Sequence, residues 1–463
     1  MVLRRSRVSA GSSPKVGLME SFDGFKDPKL PQKPFAESAT ATTKSWLERR
    51  LNKLHNSYVK RLNALAKTRA AGKASVVRWL EFLSQSDTAR KKSVLFIGYA
   101  EAALGLGEAF RNMLTALDGA GMEFAIYPFN RDTETRHLGP FLENRYDRQG
   151  VYDINVAYMA VGQLPMYFSE LEKQVRCGGY NILRTYWELP EAPLAWAPLL
   201  ERVDELWVPN SFVANAFRPI FDRKMTMVPV CISVERKHRY GREHFGVEGD
   251  RFYFLFSFDY YSGSARKNPL GVAQAFAYAF PDPETKVGLV IKSMGPKELD
   301  STVAQQLANA STLDKRIIIL DRPVNRDEML SLIDSCDCYI SLHRSEGFGL
   351  GMAEAMALGK PVIGTDYSGS RDFLSAATGF PVAYSLRKLM SGEYPMSEGQ
   401  SWAEPDLQAA IEQMRTVFLE PEDRQTRAIR GTRYIEEHYS GQTVAKIIID
   451  RLDGIRKEFA KRA

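Results

Sequence analysis

Beyond residue 90 the chain alternates between short apolar runs and stretches of helical or connecting length. VLFIG (94–98), FAIYP (124–128), INVAYMA (154–160), NILRTYW (181–187), ELWVP (205–209) and TMVPV (226–230) make a first set. FYFLFSF (252–258), KVGLVIK (286–292), RIIIL (316–320), CYISL (338–342) and KPVIG (360–364) make a second, with helical stretches such as NPLGVAQAFAYAF (268–280) and RDEMLSLIDSCD (326–337) between them. Runs that are apolar at nearly every position predict strands buried on both faces, and helices between them predict parallel sheets. The charged stretch 235–250 has no apolar periodicity and marks a seam. The pattern therefore predicts two doubly wound α/β domains, 91–240 and 241–435, with strand carboxyl ends around a shared cleft, where such sheets bind ligands. A last amphipathic helix falls within 436–463, apolar at Val444, Ile447, Ile448 and Leu452.

The first 90 residues read differently. Residues 1–42 are rich in Ser, Pro, Lys and Gly and poor in aliphatic side chains, which predicts a disordered head. Over 43–90, Leu47, Leu51, Leu54, Tyr58, Leu62 and Leu65 recur at steps of three and four, with Lys44, Arg49, Arg50, Lys53, Lys60 and Arg61 on the other positions. That pattern predicts a basic amphipathic helix. Such a helix suits an anionic membrane surface through residues 43–73, and equally a partner helix or the protein's own surface. Nucleic-acid binding by the same stretch is the less favoured reading.

Composition narrows the class without naming a chemistry. The 463 residues are 44% hydrophobic and 25% charged, with a formal net charge of +6, as in ordinary globular chains of two or three domains. No apolar run approaches the roughly 18 residues of a membrane span, and the start MVLRRSRVSAGSSPK lacks the apolar block of a secretory leader. A cytoplasmic protein is the expectation. Cys177, Cys231, Cys336 and Cys338 form no CxxC pair or Cys/His cluster and are expected to be buried thiols. No D-x-D pair occurs, so no metal site is expected.

Candidate chemistry gathers where strands are predicted to end. In the first domain GYAEAALGLGEAFRN (98–112) places Gly105 and Gly107 before a helix expected to begin near Glu108, too long an insert for a dinucleotide turn. RTYWELPEAP (184–193) offers Trp187 and Glu188, a ring and a carboxylate of the kind that packs on and hydrogen-bonds a sugar. VDELWVPNSFVANAF (203–217) offers Asn210 or Ser211 as a structural helix cap. In the second domain Arg266 and Lys267 stand close to a helix beginning near Pro269, a combination suited to a diphosphate. SLHRSEGFGLGMAEAM (341–356) sets Glu346 in a turn containing Gly347, Gly349 and Gly351, and Glu354 about one turn into the following helix. Glycines there cost helix propensity, so the backbone is expected to approach a ligand closely.

The segment EGFGLGMAEAMALGKPVIGTDYSGSRDF (346–373) resembles the E-x7-E region of retaining glycosyltransferases of family 4, which have the GT-B fold of two facing Rossmann-like domains. SLHRSEGFGLGMAEAM, YWELP and DELWVPNSFV are similar to a mannosyltransferase-like subgroup that builds bacterial surface polysaccharides, and the resemblance spans residues from about 93 to 460. It implies that Glu354 holds the donor ribose, and that Glu346 holds the transferred sugar with the turn Gly347, Phe348, Gly349 and Leu350. It implies that Lys267 with Arg266 takes the diphosphate, although Asp259 stands where the family's usual arginine would be. His343 and Arg344 would line the donor pocket. Gly105, Gly107, Trp187 and Glu188 would face the acceptor, Glu188 standing where many members carry a histidine. The final helix would cross back to the first domain. The implied activity is metal-independent, retaining transfer of a hexose, mannose first, from a GDP- or UDP-sugar to a lipid-linked or polysaccharide acceptor, with no cofactor. The protein would sit in the cytoplasm or on the inner face of the membrane. The alternative is a GT-B protein that binds sugars or scaffolds a glycan assembly complex without transfer.

Overall fold

A computed structural model describes residues 90–131, 138–172, 179–247 and 249–460. The expected head 1–42, nearly all of the basic helical stretch 43–90, and Cys177 lie outside the described residues. The first half contains β1 (Arg90–Gly98), α1 (Gly105–Gly119), β2 (Phe124–Pro128), β3 (Val151–Tyr158), α2 (Leu164–Glu170), β4 (Tyr180–Arg184), α3 (Ala197–Leu200), β5 (Glu205–Val208), α4 (Ser211–Phe217) and β6 (Lys224–Met227). Its sheet has the order β2-β1-β3-β4-β5-β6. The second half contains β7 (Phe252–Asp259), α5 (Ser264–Lys267), α6 (Pro269–Ala279), β8 (Val287–Met294), α7 (Ser301–Leu313), β9 (Ile317–Leu320), α8 (Arg326–Ser335), β10 (Cys338–Ser341), α9 (Leu350–Ala357), β11 (Val362–Thr365) and β12 (Phe380–Val382). Its sheet runs β12-β11-β10-β7-β8-β9, with every pair parallel.

Two doubly wound sheets thus arise from the two sets of apolar runs. In both, the middle strands are buried along nearly their whole length, as in Val94–Ile97 and Phe254–Phe256. The run 181–187 departs from expectation: β4 stops at Arg184, and Thr185, Tyr186 and Trp187 continue as a loop. The run 226–230 forms a strand only to Met227, because Pro229 has no N–H for a further ladder bond.

A hairpin and three helices close the described chain. A hairpin of β13 (Tyr384–Lys388) and β14 (Ser401–Pro405) follows β12, then α10 (Leu407–Leu419), α11 (Pro421–Tyr439) and α12 (Gly441–Ala460). From Lys92 onward the chain clusters as one unit. Helix α12 packs on α1 of the first half. Its Arg451 reaches the fully buried Glu205 of β5, at 2.6 Å from Nη2 to Oε2. Tyr439 and Phe348 join the same apolar cluster as Phe110 and Val230, so the halves share a core. Cys231, Cys336 and Cys338 are buried free thiols, and burial pushes the first two up to about 12. No helix among the described residues is long and apolar enough to cross a membrane.

Candidate functional site

Where the two sheets face each other lies a cavity of about 830 Å³. The first half lines it with Gly105, Leu106, Tyr186, Trp187, Glu188 and Trp196, the second with Asp259, Ser262, Gly263, Arg266 and the turn Glu346–Leu350. The loop of the β13–β14 hairpin adds Gly392–Pro395.

Two strand ends bring the charged residues together. After β7, Asp259 Oδ1 caps a short turn by accepting the Tyr261 N–H at 3.0 Å, and the chain enters the one-turn helix α5 that carries Arg266 and Lys267. Asn268 then takes a left-handed conformation (φ 57°), and its side chain accepts the Gly271 N–H and donates to Leu342 O at 3.0 Å. The two cations therefore sit before the helix that begins at Pro269, on a separate turn. After β10, Glu346 is held by its own backbone: its N–H donates to Ser368 Oγ at 2.8 Å and its carbonyl accepts the Gly369 N–H at 2.9 Å. This stretch, SGSRDF, supports the glutamate.

The result is a buried ion triad. Arg266 Nη1 lies 3.0 Å from Glu346 Oε2, and Lys267 Nζ pairs with Oε1 of the same carboxylate. Burial alone would raise the Glu346 carboxyl, but the Lys267 and Arg266 charges overcome it and hold the group far below the usual carboxylate range. Burial lowers the Lys267 ammonium, against the opposing pull of Glu346. Beside the triad, the N–H groups of Gly347, Phe348, Gly349 and Leu350 donate to no protein acceptor among the described residues. Arg266 and a row of open amides line the cavity as a cradle for a negatively charged or hydroxyl-rich group, while Lys267 lies outside the lining and acts from behind the Glu346 carboxylate.

The glycines of the turn have separate reasons. Gly349 has φ 100° and precedes α9, a conformation that favours glycine. Gly351 lies against the Tyr339 hydroxyl, where a methyl group would collide. Gly347 lies against the first half: its carbonyl accepts a 2.7 Å bond from Asn210 Nδ2, and a Cβ there would come within 3.3 Å of Trp187 O. The expected structural role of Asn210 holds, since its Oδ1 accepts the Val213 N–H at 3.0 Å. Its second role, tying the glycine turn to the other half, left no signal in the sequence beyond the residue type.

Several candidate residues lie elsewhere than the sequence suggested. His343 is fully buried beneath the turn, in contact with Ser341 Oγ (3.2 Å) and Ser370 Oγ (3.1 Å), and it does not line the cavity. Arg344 turns away too, pairing both ends of Glu404 at 2.7 and 2.8 Å. Phe348 lines the cavity but buries its ring between Phe373 and Tyr439, with centroids 5.1 and 5.5 Å apart. Glu354 is buried, does not line the cavity, and meets Arg326 Nη1 at 2.6 Å. Arg326 also reaches Glu108 of α1 at 3.0 Å, joining the halves. Burial raises the Glu354 carboxyl in spite of this cation.

On the first half, α1 begins at Gly105, three residues before the expected start, so both glycines fall in its opening turn. Gly105 lines the cavity, whereas Gly107 does not: it packs under the loop, where a Cβ would lie 2.8 Å from Tyr99 O. Trp187 borders the cavity, but its ring is committed to Trp196 (4.7 Å) and Tyr394 (5.6 Å), and its Nε1 donates to Glu191 O. At 5% exposure little of the ring is open for the sugar stacking expected of it. Glu188 stays half-exposed in the cavity. Among the described residues no three His, Cys, Asp or Glu side chains gather as a metal site.

Comparison with known proteins bears on the fold and on one segment. Residues 262–383 match the family model described as glycosyl transferases group 1. The whole fold is similar to HepE of Anabaena, solved in complex with UDP and glucose, at 14% identity and a TM-score of 0.55, covering 79% of this chain and 100% of that one. It is similar to sucrose-phosphate synthase of Thermosynechococcus elongatus, at 15% identity and a TM-score of 0.57 over 80% and 100%. A glycosyltransferase of Rickettsia africae aligns at 14% identity and a TM-score of 0.56 over 81% and 100%. No curated protein sequence matches the chain. The chain thus has the GT-B fold, and the segment that carries Arg266, Lys267, Glu346 and Glu354 is similar to glycosyl transferases group 1.

Proposed function

We propose that this protein is a retaining, metal-independent glycosyltransferase that moves a hexose, mannose first, from a nucleotide sugar to a lipid-linked or polysaccharide acceptor in bacterial surface-glycan synthesis. The observation that carries the reading is the Arg266–Lys267–Glu346 triad beside the open amides of the glycine turn, within the segment similar to glycosyl transferases group 1. A nucleotide sugar departs as a diphosphate, so its site must stabilise charge growing on the leaving oxygen. Arg266 and Lys267 supply that charge without a metal, and with only Glu346 between them they keep a net positive charge for the diphosphate. The amides of Gly347 to Leu350 then remain for the sugar hydroxyls.

UDP in the HepE structure favours a uridine donor, while the subgroup resemblance favours a GDP-linked one. The ribose role of Glu354 requires Arg326 to share or release its carboxylate. A location in the cytoplasm or on the inner membrane face, through residues 43–73, belongs to the same reading.

A thermal-shift panel of UDP, GDP and ADP sugars tests it. The matching donor at 100 times its Kd stabilises the fold by about 2.7 kcal/mol. Chelation of divalent metals leaves that shift unchanged, and the product keeps the donor's anomeric configuration. A flat response to the whole panel contradicts the proposal and leaves the non-catalytic alternative.

A further inference from the structure

The β13–β14 hairpin lies just beyond the segment that matches the family model, yet its loop enters the cavity. That loop is firmly built. Arg387 pairs with Glu393 (2.7 Å) and also with Glu404, which Arg344 holds from the other side. Trp402 is fully buried beneath the Arg387 guanidinium, 5.3 Å from ring centroid to Cζ. The N–H of Ala403 donates to Arg344 O at 3.1 Å, which joins β14 to the strand end two residues before Glu346. The hairpin is therefore braced against the strand end that leads to the ion triad.

From this frame the loop reaches the first half. Tyr394 Oη donates to Glu188 Oε2 at 2.7 Å, and the Glu191 N–H donates to Gln400 Oε1 at 3.0 Å. Glu188 Oε1 takes no protein donor among the described residues; Arg266, 6.0 Å from the Tyr394 ring centroid, lies beyond ion-pair distance of the carboxylate but within electrostatic reach of it. The partly buried carboxylate is thus fixed at Oε2 by one hydroxyl, and its Oε1 is left for a ligand in the cavity that Glu188 lines. Oε1, an acceptor with no proton to give, would repel a phosphate oxygen placed on it, whereas it would bind a neutral group rich in hydroxyls by charge-assisted hydrogen bonds. The donor's anionic part has its own cradle at Arg266 and Lys267.

We infer that Glu188 and Tyr394 form the acceptor subsite, which takes a neutral pyranose through one of its hydroxyls on Glu188 Oε1. The inference rests on the glycosyltransferase reading and deepens it: the group presented to the donor is an uncharged sugar ring, not the phosphate of a lipid carrier.

Isothermal titration of the full chain tests this in two stages. UDP, GDP and ADP are titrated first, and then the methyl glycosides of glucose, mannose, galactose and rhamnose in the presence of the nucleotide that binds. Glu188→Gln and Tyr394→Phe are each expected to weaken the best glycoside about tenfold. The double variant is expected to be no weaker than the worse single one, because the two groups act as a pair. Nucleotide affinity in Tyr394→Phe stays within about twofold. If nucleotide binds but no glycoside does, or the variants bind glycoside as wild type does, the subsite is refuted while the donor reading stands. Equal weakening of nucleotide and glycoside also refutes it, since the pair would then only shape the cleft. If no nucleotide binds, the donor reading fails and the subsite with it.

Discussion

His343 is a residue whose titration the fold perturbs in the experimentally accessible range. Burial lowers it from 6.5 to about 4, against the nearby Glu346 charge. A histidine with a depressed folded value is neutral in the fold and gains a proton more readily when unfolded. Its contribution is therefore complete above about pH 6.5 and is lost as pH falls towards 4. By pH 5 the expected loss is about 2 kcal/mol. Urea unfolding of wild type and His343→Gln at pH 7.5 and 5 checks this: the wild type should lose about 2 kcal/mol more than the variant, and parallel losses would count against it. Arg266, Lys267 and Glu346 were legible in the sequence, because their type and their place at strand ends together suggest a site. His343 and Arg344 were not. The neighbours that turn them away, Ser370 and Glu404, lie 27 and 60 residues along the chain.

At the scale of elements, α9 shows how packing overrides propensity. Replacing a helical glycine by alanine ordinarily stabilises by about 1 kcal/mol. At Gly351 the added methyl group meets the Tyr339 hydroxyl, which itself bonds Ser257 Oγ at 2.7 Å inside the second half. Gly351→Ala is therefore expected to lower the melting temperature in the wild type. In a Tyr339→Phe background, where the ring Cζ still lies 3.0 Å from the added methyl group, the loss is expected to be clearly smaller, and a loss of equal size in both backgrounds would rule out the hydroxyl contact. Strands were the most legible elements, since continuous apolar runs such as Phe252–Phe258 have no other use in a chain of this composition. The β13–β14 hairpin was not legible. Its strands mix Arg387, Lys388 and Glu404 with Trp402, and the charge pairing that makes them fold is visible only in three dimensions. The early start of α1 was missed for a related reason, as two glycines in a first turn read as loop.

The whole molecule is held by contacts between its halves. Glu205 is fully buried and accepts from Arg451 of α12, Tyr180, Thr226 and Trp207. Burial would raise its carboxyl, but these donors, Arg451 first, bring it below the ordinary value. Arg451→Met strands that charge and is expected to cost about 3 kcal/mol. Adding Glu205→Gln should recover most of it in urea unfolding, and no recovery would mean that α12 is held by its apolar face alone. The two-sheet architecture was legible from alternation along the chain. The junctions were not, because Asn210 to Gly347 and Arg326 to Glu108 join residues that only the fold makes neighbours.

The central claim is that Arg266 and Lys267, which share the single carboxylate of Glu346 and so keep a net positive charge, are built to receive a nucleotide diphosphate. Calorimetric titration of UDP- and GDP-sugars into the wild-type protein and Lys267→Ala tests it most directly. One donor should bind the wild type, and the variant should bind it about 10- to 100-fold more weakly, as the loss of one charge-assisted hydrogen bond implies. Equal affinity in the two proteins, with both folded, would contradict the account.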